Sequence, residues 1–158
     1  MSRELNVDLT DCIRPARTDD VAGIVALVRD FYAEDEYPFD EARTAEAVAR
    51  LVREEGLGRV WVAEPDGGLA GYVALTLGFS LEYMGRDGFV DDLYVRPEWR
   101  GKGLGTALLE ALLDEARNVG VKALHLEVSR DKRGAQSLYR RAGFEDHDRM
   151  LMTRDLTT

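Results

Sequence analysis

Cysteine is almost absent from this chain: Cys12 is the only one in 158 residues, so neither an intrachain disulfide nor a cysteine-based zinc site can form. Histidine is nearly as scarce, and His125 and His147 lack metal-ligand spacing, so no metal is expected. With only 4 prolines and no Pro/Gly/Ser-rich stretch long enough for a linker, residues 1–158 read as one continuous domain. Long apolar runs are missing too. The longest uncharged stretch, Gly67 to Leu81, is glycine-rich and well short of the roughly 20 apolar residues a membrane-spanning helix needs. Arg3, Glu4, Asp8 and Asp11 leave no room for the apolar core of a signal peptide, which makes a cytoplasmic location the expectation. Positive charge is in deficit: 21 Lys plus Arg face 30 Asp plus Glu, a net charge of -9. A field of that sign repels phosphate backbones and anionic membranes, so nucleic-acid and membrane partners are disfavoured and a cationic partner is favoured.

What is present suits a packed core, since 45% of residues are hydrophobic and 32% charged. After a short strand around Ile13, Thr18 is a plausible N-cap, and Val21, Ile24, Val25, Val28, Phe31 and Tyr32 recur at helical spacing. Asp40 can cap a second helix whose apolar side is Ala45, Val48, Ala49, Leu51 and Val52, stopped by Gly56 and Gly58. Arg59 to Glu64 and Leu69 to Phe79 read as strands joined by the turn Pro65-Asp66-Gly67-Gly68, an antiparallel hairpin. A fourth strand is expected at Phe89 to Val95, a helix from Leu104 to near Gly120, and a fifth strand at Ala123 to Val128. A short helix from Gly134 to Ala142 and a last strand pair between Phe144 and Asp155 complete the chain. The order predicts an α+β fold with a mixed, mostly antiparallel sheet of six to seven strands and helices on both faces.

The most informative stretch is Leu93-Tyr94-Val95-Arg96-Pro97-Glu98-Trp99-Arg100-Gly101-Lys102-Gly103-Leu104-Gly105-Thr106, a strand, a turn and a helix start. Its three glycines let backbone N–H groups approach a ligand, and the helix N-terminus adds a positive dipole, the makings of a pyrophosphate cradle. The spacing is neither the Walker pattern nor the dinucleotide G-x-G-x-x-G, which argues against ATP and NAD. Arg96, Arg100 and Lys102 form a positive cluster beside it, either solvated surface or a partner for phosphates.

Arg100-Gly101-Lys102-Gly103-Leu104-Gly105 meets the signature [QR]-x-x-G-x-[GA] of the GNAT superfamily of N-acetyltransferases, which this chain resembles. Ala135-Gln136-Ser137-Leu138-Tyr139-Arg140-Arg141-Ala142-Gly143-Phe144 resembles the superfamily's A-x-x-[LF]-Y-x-x-x-G-F segment, and with Ile13-Arg14-Pro15-Ala16 the likeness spans nearly the whole chain. The resemblance implies acetyl-CoA as donor, held by Leu93, Tyr94, Val95, Arg100, Gly101, Lys102, Gly103, Leu104, Gly105 and Thr106. It also implies a sheet that splays between the fourth and fifth strands, and direct transfer to an amine. Family members commonly dimerise, so a homodimer is compatible, with no interface identified. One position departs: where the family often has an Asn against the cofactor arm, this chain has Lys132, which could pair with a CoA phosphate instead.

A lysine-like amine, with a pKa near 10.4, must lose a proton before it attacks a thioester, while the departing thiolate gains one, so the site needs a base and an acid. Tyr139 matches the family tyrosine that approaches the thioester sulfur, and its phenol can supply the proton. Three carboxylates compete for the base, Asp91, Asp92 and Glu127: Asp91 matches a glutamate of the diamine acetyltransferases, and Glu127 a glutamate of the ribosomal-protein N-terminal acetyltransferases. Strand alternation places Asp91 with Leu93 and Val95 and Asp92 with Val90 and Tyr94, on opposite faces. Asp92 joins Glu34, Tyr37 and Phe39 as a candidate for the acceptor side. Glu34, Asp35, Glu36, Asp40 and Glu41 could funnel a cationic amine there or be a solvated face. Cys12, far in sequence from the glycine turn, is a poor nucleophile candidate.

Transfer of an acetyl group to a small cationic amine in a ternary complex is the function these readings favour. Still open are a protein N-terminal or lysine acetyltransferase and, from other classes, an acyl-CoA-sensing binding module without turnover or a purely structural dimer module.

Overall fold

The computed structural model describes residues 8–157, which fall into two compact units that divide between Leu126 and Glu127. The first holds a five-stranded sheet in the order β1 (Ile13–Pro15), β2 (Gly58–Ala63), β3 (Gly71–Ser80), β4 (Gly85–Val95) and β5 (Ala123–His125). The first four strands are mutually antiparallel and β5 runs parallel to β4. Helices α1 (Val21–Glu34) and α2 (Glu41–Arg53) precede the hairpin, and α3 (Leu104–Asn118) makes the crossover from β4 to β5. The architecture is the expected α+β one.

Two layers of core follow from period-2 strands meeting period-3.6 helices. On one face Val60, Val62, Tyr72, Ala74 and Tyr94 pack against Ile24, Leu27 and Val28 of α1, with Val48, Leu51 and Val52 of α2 at the margin. The alternate residues Trp61, Ala63, Val73, Leu75 and Val90 point the other way, where α3 crosses β2, β3 and β4 and buries Leu104, Leu108, Leu109 and Leu112. Each such leucine contributes roughly 1.5–3 kcal/mol of burial free energy. At the sheet edge, Arg14 on β1 ties three segments together: its guanidinium meets Asp20 at 2.7 Å and Glu64 at 2.9 Å.

Several boundaries differ from expectation. Thr18–Asp20 forms a 3-10 turn, and α1 starts at Val21, because Asp20 spends its carboxylate on Arg14 and the Arg17 N–H. Asp40 does cap α2, accepting from the Arg43 N–H at 2.9 Å. β4 begins earlier than expected, because the hairpin with β3 continues down to Ser80↔Gly85. β5 stops at His125 instead of Val128, its pairing with β4 covering only Asp87–Phe89. In the second unit α4 (Arg133–Arg141) is present, but the strand pair expected between Phe144 and Asp155 is not. That stretch joins no ladder among the described strands, and Met150, Leu151 and Met152 lie exposed. A strand exists only where its N–H and C=O groups are paired with those of another. Five strands therefore stand where six or seven were expected.

Candidate active site

The chain leaves β4 through a 3-10 turn, Pro97–Trp99, and enters α3 through two left-handed residues, Gly101 (φ 75°) and Gly103 (φ 87°). An L side chain at either costs about 1–2 kcal/mol, which accounts for glycine at both. Gly103 is the N-cap of α3 and has no side chain with which to cap it, so the first-turn N–H groups at Leu104, Gly105 and Thr106 are left without a side-chain acceptor at the positive end of the helix dipole. An anion can be held there by backbone alone.

The neighbouring cations are engaged with the protein. Arg96 reaches Asp30 at 2.9 Å and the Leu69 carbonyl at 3.0 Å. Arg100 grips both Glu34 carboxylate oxygens at 2.9 Å, donates to the Val95 carbonyl at 2.9 Å, and lies over the Tyr94 ring. Lys102 lies 4.9 Å over the Trp99 ring. Arg100 thus joins two sets expected apart, the cofactor turn and Glu34 on the acceptor side.

Beyond Phe89 no strand among the described residues pairs with the second edge of β4, so Val90–Val95, including Leu93, Tyr94 and Val95, has an unpaired edge on that side. At the start of this stretch the register with β3 steps from Ala74↔Asp92 to Leu75↔Val90 and leaves Asp91 without a partner. This β-bulge corrects the alternation argument. Asp92 pairs with Ala74 and Phe89 with Thr76, so both lie on the α1 side of the sheet, and Asp91 is the extra residue between the two registers. The two aspartates are close enough for the Asp91 charge to act on Asp92 and on the hydroxyls of Tyr32 and Tyr72.

Asp92 is half-buried and accepts two hydrogen bonds on one oxygen, Oδ2: from Tyr72 at 2.7 Å and from Tyr32 at 3.1 Å. Burial raises its carboxyl pKa to about 6, the tyrosine hydrogen bonds pull it back down, and the Asp91 charge pushes it up. Asp91 meets solvent, yet partial desolvation raises its pKa as well. Both tyrosine hydroxyls are pushed upward, first by burial and then by Asp92. Neither Tyr32 nor Tyr72 was legible as a site residue, since a phenol on an amphipathic helix or an apolar strand reads as core.

Of the residues expected on the acceptor side, Glu34 pairs with Arg100 and also accepts from the Tyr94 hydroxyl at 3.3 Å. Tyr37 is exposed, its ring edge-on to Tyr32, while Phe39 packs against the core beneath α1. Of the remaining carboxylates in this run, Asp40 caps α2 and Glu41 reaches Arg29 at 3.4 Å. Cys12 donates to the Leu9 carbonyl, and burial pushes its thiol pKa up, the opposite of an activated nucleophile.

In the second unit, Glu127 is exposed and lies beyond the end of β5. Lys132 is the N-cap residue of α4, and its N–H donates to the Ser129 carbonyl at 3.0 Å. Tyr139 sits on α4 with its ring against Phe144, 5.9 Å between centroids. Gln136 donates to the carbonyls of Ser129 and Arg130 at 2.9 Å and ties the loop to the helix.

An enzyme that moves an acyl group from a phosphate-bearing donor to an amine needs an anion cradle and titratable groups along one strand, and the class so defined is the N-acetyltransferases. The chain belongs to the acetyltransferase (GNAT) family, whose model matches residues 24–144. It is 37% identical over 139 residues to the N-acetyltransferase YhfO of Bacillus subtilis (strain 168), spanning 85% of this chain and 89% of that one. With the thialysine N-epsilon-acetyltransferase of Bos taurus it shares 30% identity over 147 residues, 85% of this chain and 84% of the relative. Among solved structures, an integron cassette protein from the mobile metagenome of Cole Harbour Salt Marsh superposes with a TM-score of 0.86 at 39% identity, covering 95% of this chain and 93% of that one. The protein is an acyltransferase enzyme of this family. Among the described residues no helix is long and apolar enough to cross a membrane, and no cluster of three or more His, Cys, Asp or Glu side chains could hold a metal ion.

Proposed function

We propose that the protein transfers an acetyl group from acetyl-CoA to a primary amine on a small cationic molecule, by direct attack in a ternary complex. The observation that carries this reading is the β4 bulge, which gathers Asp91 and Asp92 beside the open edge of a strand whose other end feeds the uncapped α3 N-terminus. The fit to the donor is chemical: three backbone N–H groups without a side-chain cap, behind two left-handed glycines, match a pyrophosphate. Acetyl-CoA supplies an activated thioester and a thiolate leaving group. Gly101, Gly103 and the first turn of α3 hold its phosphates, and Leu93, Tyr94 and Val95 border its arm.

The acidic bulge attracts an ammonium group, and a carboxylate whose pKa lies near neutrality can take the proton that the amine must lose. Asp91, Asp92 and Glu127 are the carboxylates available for this role, and Tyr139 is assigned to protonate the departing thiolate. Cys12, held protonated, fits a route with no covalent enzyme intermediate. The thialysine acetyltransferase relative points to a lysine-like side-chain amine as the acceptor class.

Release of free thiol from acetyl-CoA, measured across thialysine, lysine, a polyamine, an aminoglycoside and a peptide with a free N-terminus, tests the reading. A small cationic amine should give the highest kcat/KM, with initial-rate lines that intersect. Turnover of the peptide alone would transfer the assignment to protein acetylation. CoA binding without turnover on any amine would leave a sensor.

A further inference from the structure

The hydrogen bonds around Asp92 are lopsided. Both arrive at Oδ2, one from Tyr72 on β3 and one from Tyr32 on α1. Oδ1 accepts from no described residue. Because no buried side-chain oxygen or nitrogen among the described residues lacks a partner, Oδ1 is in contact with solvent. A half-buried carboxylate has thus been fixed by one oxygen and opened by the other. Two phenols are a costly way to satisfy one oxygen, since a single hydrogen bond would suffice for burial.

We propose that Tyr32 and Tyr72 are positioning residues that pin Oδ2 of Asp92 and present Oδ1 as the proton acceptor for the substrate amine, an assignment that rests on the amine acetylation proposed above. In the step, an ammonium N–H bond breaks, an O–H bond forms at Oδ1, and the amine nitrogen is left with the lone pair it needs for attack. The two hydroxyls restrain rotation about the Asp92 side chain while remaining donors themselves, because their own ionisation is suppressed. Tyr32 adds a coupling: it lies on the last turns of α1, and the Tyr37 N–H donates to its carbonyl at 2.9 Å. The segment that leads to α2 is thereby linked to the carboxylate.

The titratable groups around Asp92 are few. They are Tyr32 from α1, Tyr72 from β3, Asp91 at the bulge and Tyr37 behind Tyr32, while Tyr94 spends its hydroxyl on Glu34. Phenol hydrogen bonds favour the ionised carboxylate, so deleting either should raise its proton affinity. In Tyr32→Phe and Tyr72→Phe the acidic limb of kcat/KM, set by Asp92 near pH 6 in the native protein, should move up by about one pH unit. Asp92→Asn should abolish that limb together with at least 100-fold of the rate.

Carbon-13 titration of the aspartate carboxyl groups in the free protein, with the Asp92 signal assigned from Asp92→Asn, reads the same shift without turnover. An Asp92 titration curve that stays in place in both tyrosine variants overturns the proposal, as does an acidic limb that survives Asp92→Asn. If the native protein acetylates no amine, the functional reading fails while the carbon titration still decides the positioning. Should Tyr72→Phe fail to fold, Tyr32→Phe on the surface side of the network decides alone.

Discussion

Replacing Asp92 with Asn should make the fold more stable at neutral pH while it removes activity. The folded carboxyl titrates at about 6 against an ordinary aspartate value of 3.8, so between those values the folded chain binds more protons than the unfolded one. Stability contributed by this group is therefore full below about pH 4 and falls as pH rises through 6. At 1.36 kcal/mol per pKa unit, the separation corresponds to about 3 kcal/mol as an upper bound, and solvent contact at Oδ1 screens part of it. A gain of about 1–3 kcal/mol for Asp92→Asn at pH 8, shrinking as pH falls to 4, is the expected result. The amide oxygen can still accept from Tyr72 and Tyr32, so no hydroxyl is stranded. Urea denaturation of both proteins at several pH values from 4 to 8 gives the difference curve directly. In thermal melts the gain amounts to several degrees at about 2–4 °C per kcal/mol. Parallel pH profiles for the two proteins, or a net loss for Asp92→Asn at pH 8, would refute the reasoning, because either shows that the ionised carboxylate is not under burial stress.

Gly105→Val places a branched side chain at a helical position outside the left-handed glycines, so the fold should survive while CoA affinity by calorimetry falls at least tenfold, about 1.4 kcal/mol; unchanged affinity in the folded variant would mean that the phosphates bind elsewhere. Tyr139→Phe keeps the ring against Phe144 and should lower kcat by roughly 10²-fold with little change in CoA binding or Tm, a result checked by steady-state kinetics. Arg14→Met strands Asp20, whose pKa is held near 2 chiefly by its hydrogen bond with Arg14. Chemical denaturation at pH 7 should show a loss of about 2–4 kcal/mol, and the stability that the native protein loses as pH falls from about 4 through 2 should largely disappear in the variant. Raising salt should increase KM for a cationic acceptor more than for a neutral amine, since screening acts within about 8 Å at physiological strength; equal responses would make the Glu34–Glu41 carboxylates structural only.

Local chemistry determined much of this protein. The apolar spacing of α1, the Asp40 cap of α2, the turn between β2 and β3, and the glycines before α3 each depend on a few neighbouring residues, and each stands where the sequence places it. The glycine turn before α3 was legible for the same reason: left-handed backbone and an uncapped helix start select glycine directly. What the sequence could not settle depends on partners far apart in the chain. The last strand pair is such a case: a strand forms only where its hydrogen bonds meet those of another, and Phe144 to Asp155 joins no ladder among the described strands. The facing of Asp91 and Asp92 was decided by pairing with β3, because one extra residue in β4 resets the period for everything below it. The elevated pKa of Asp92 arises from burial against Tyr32 and Tyr72, 60 and 20 residues away, and desolvation is a property of the packed layers rather than of any motif.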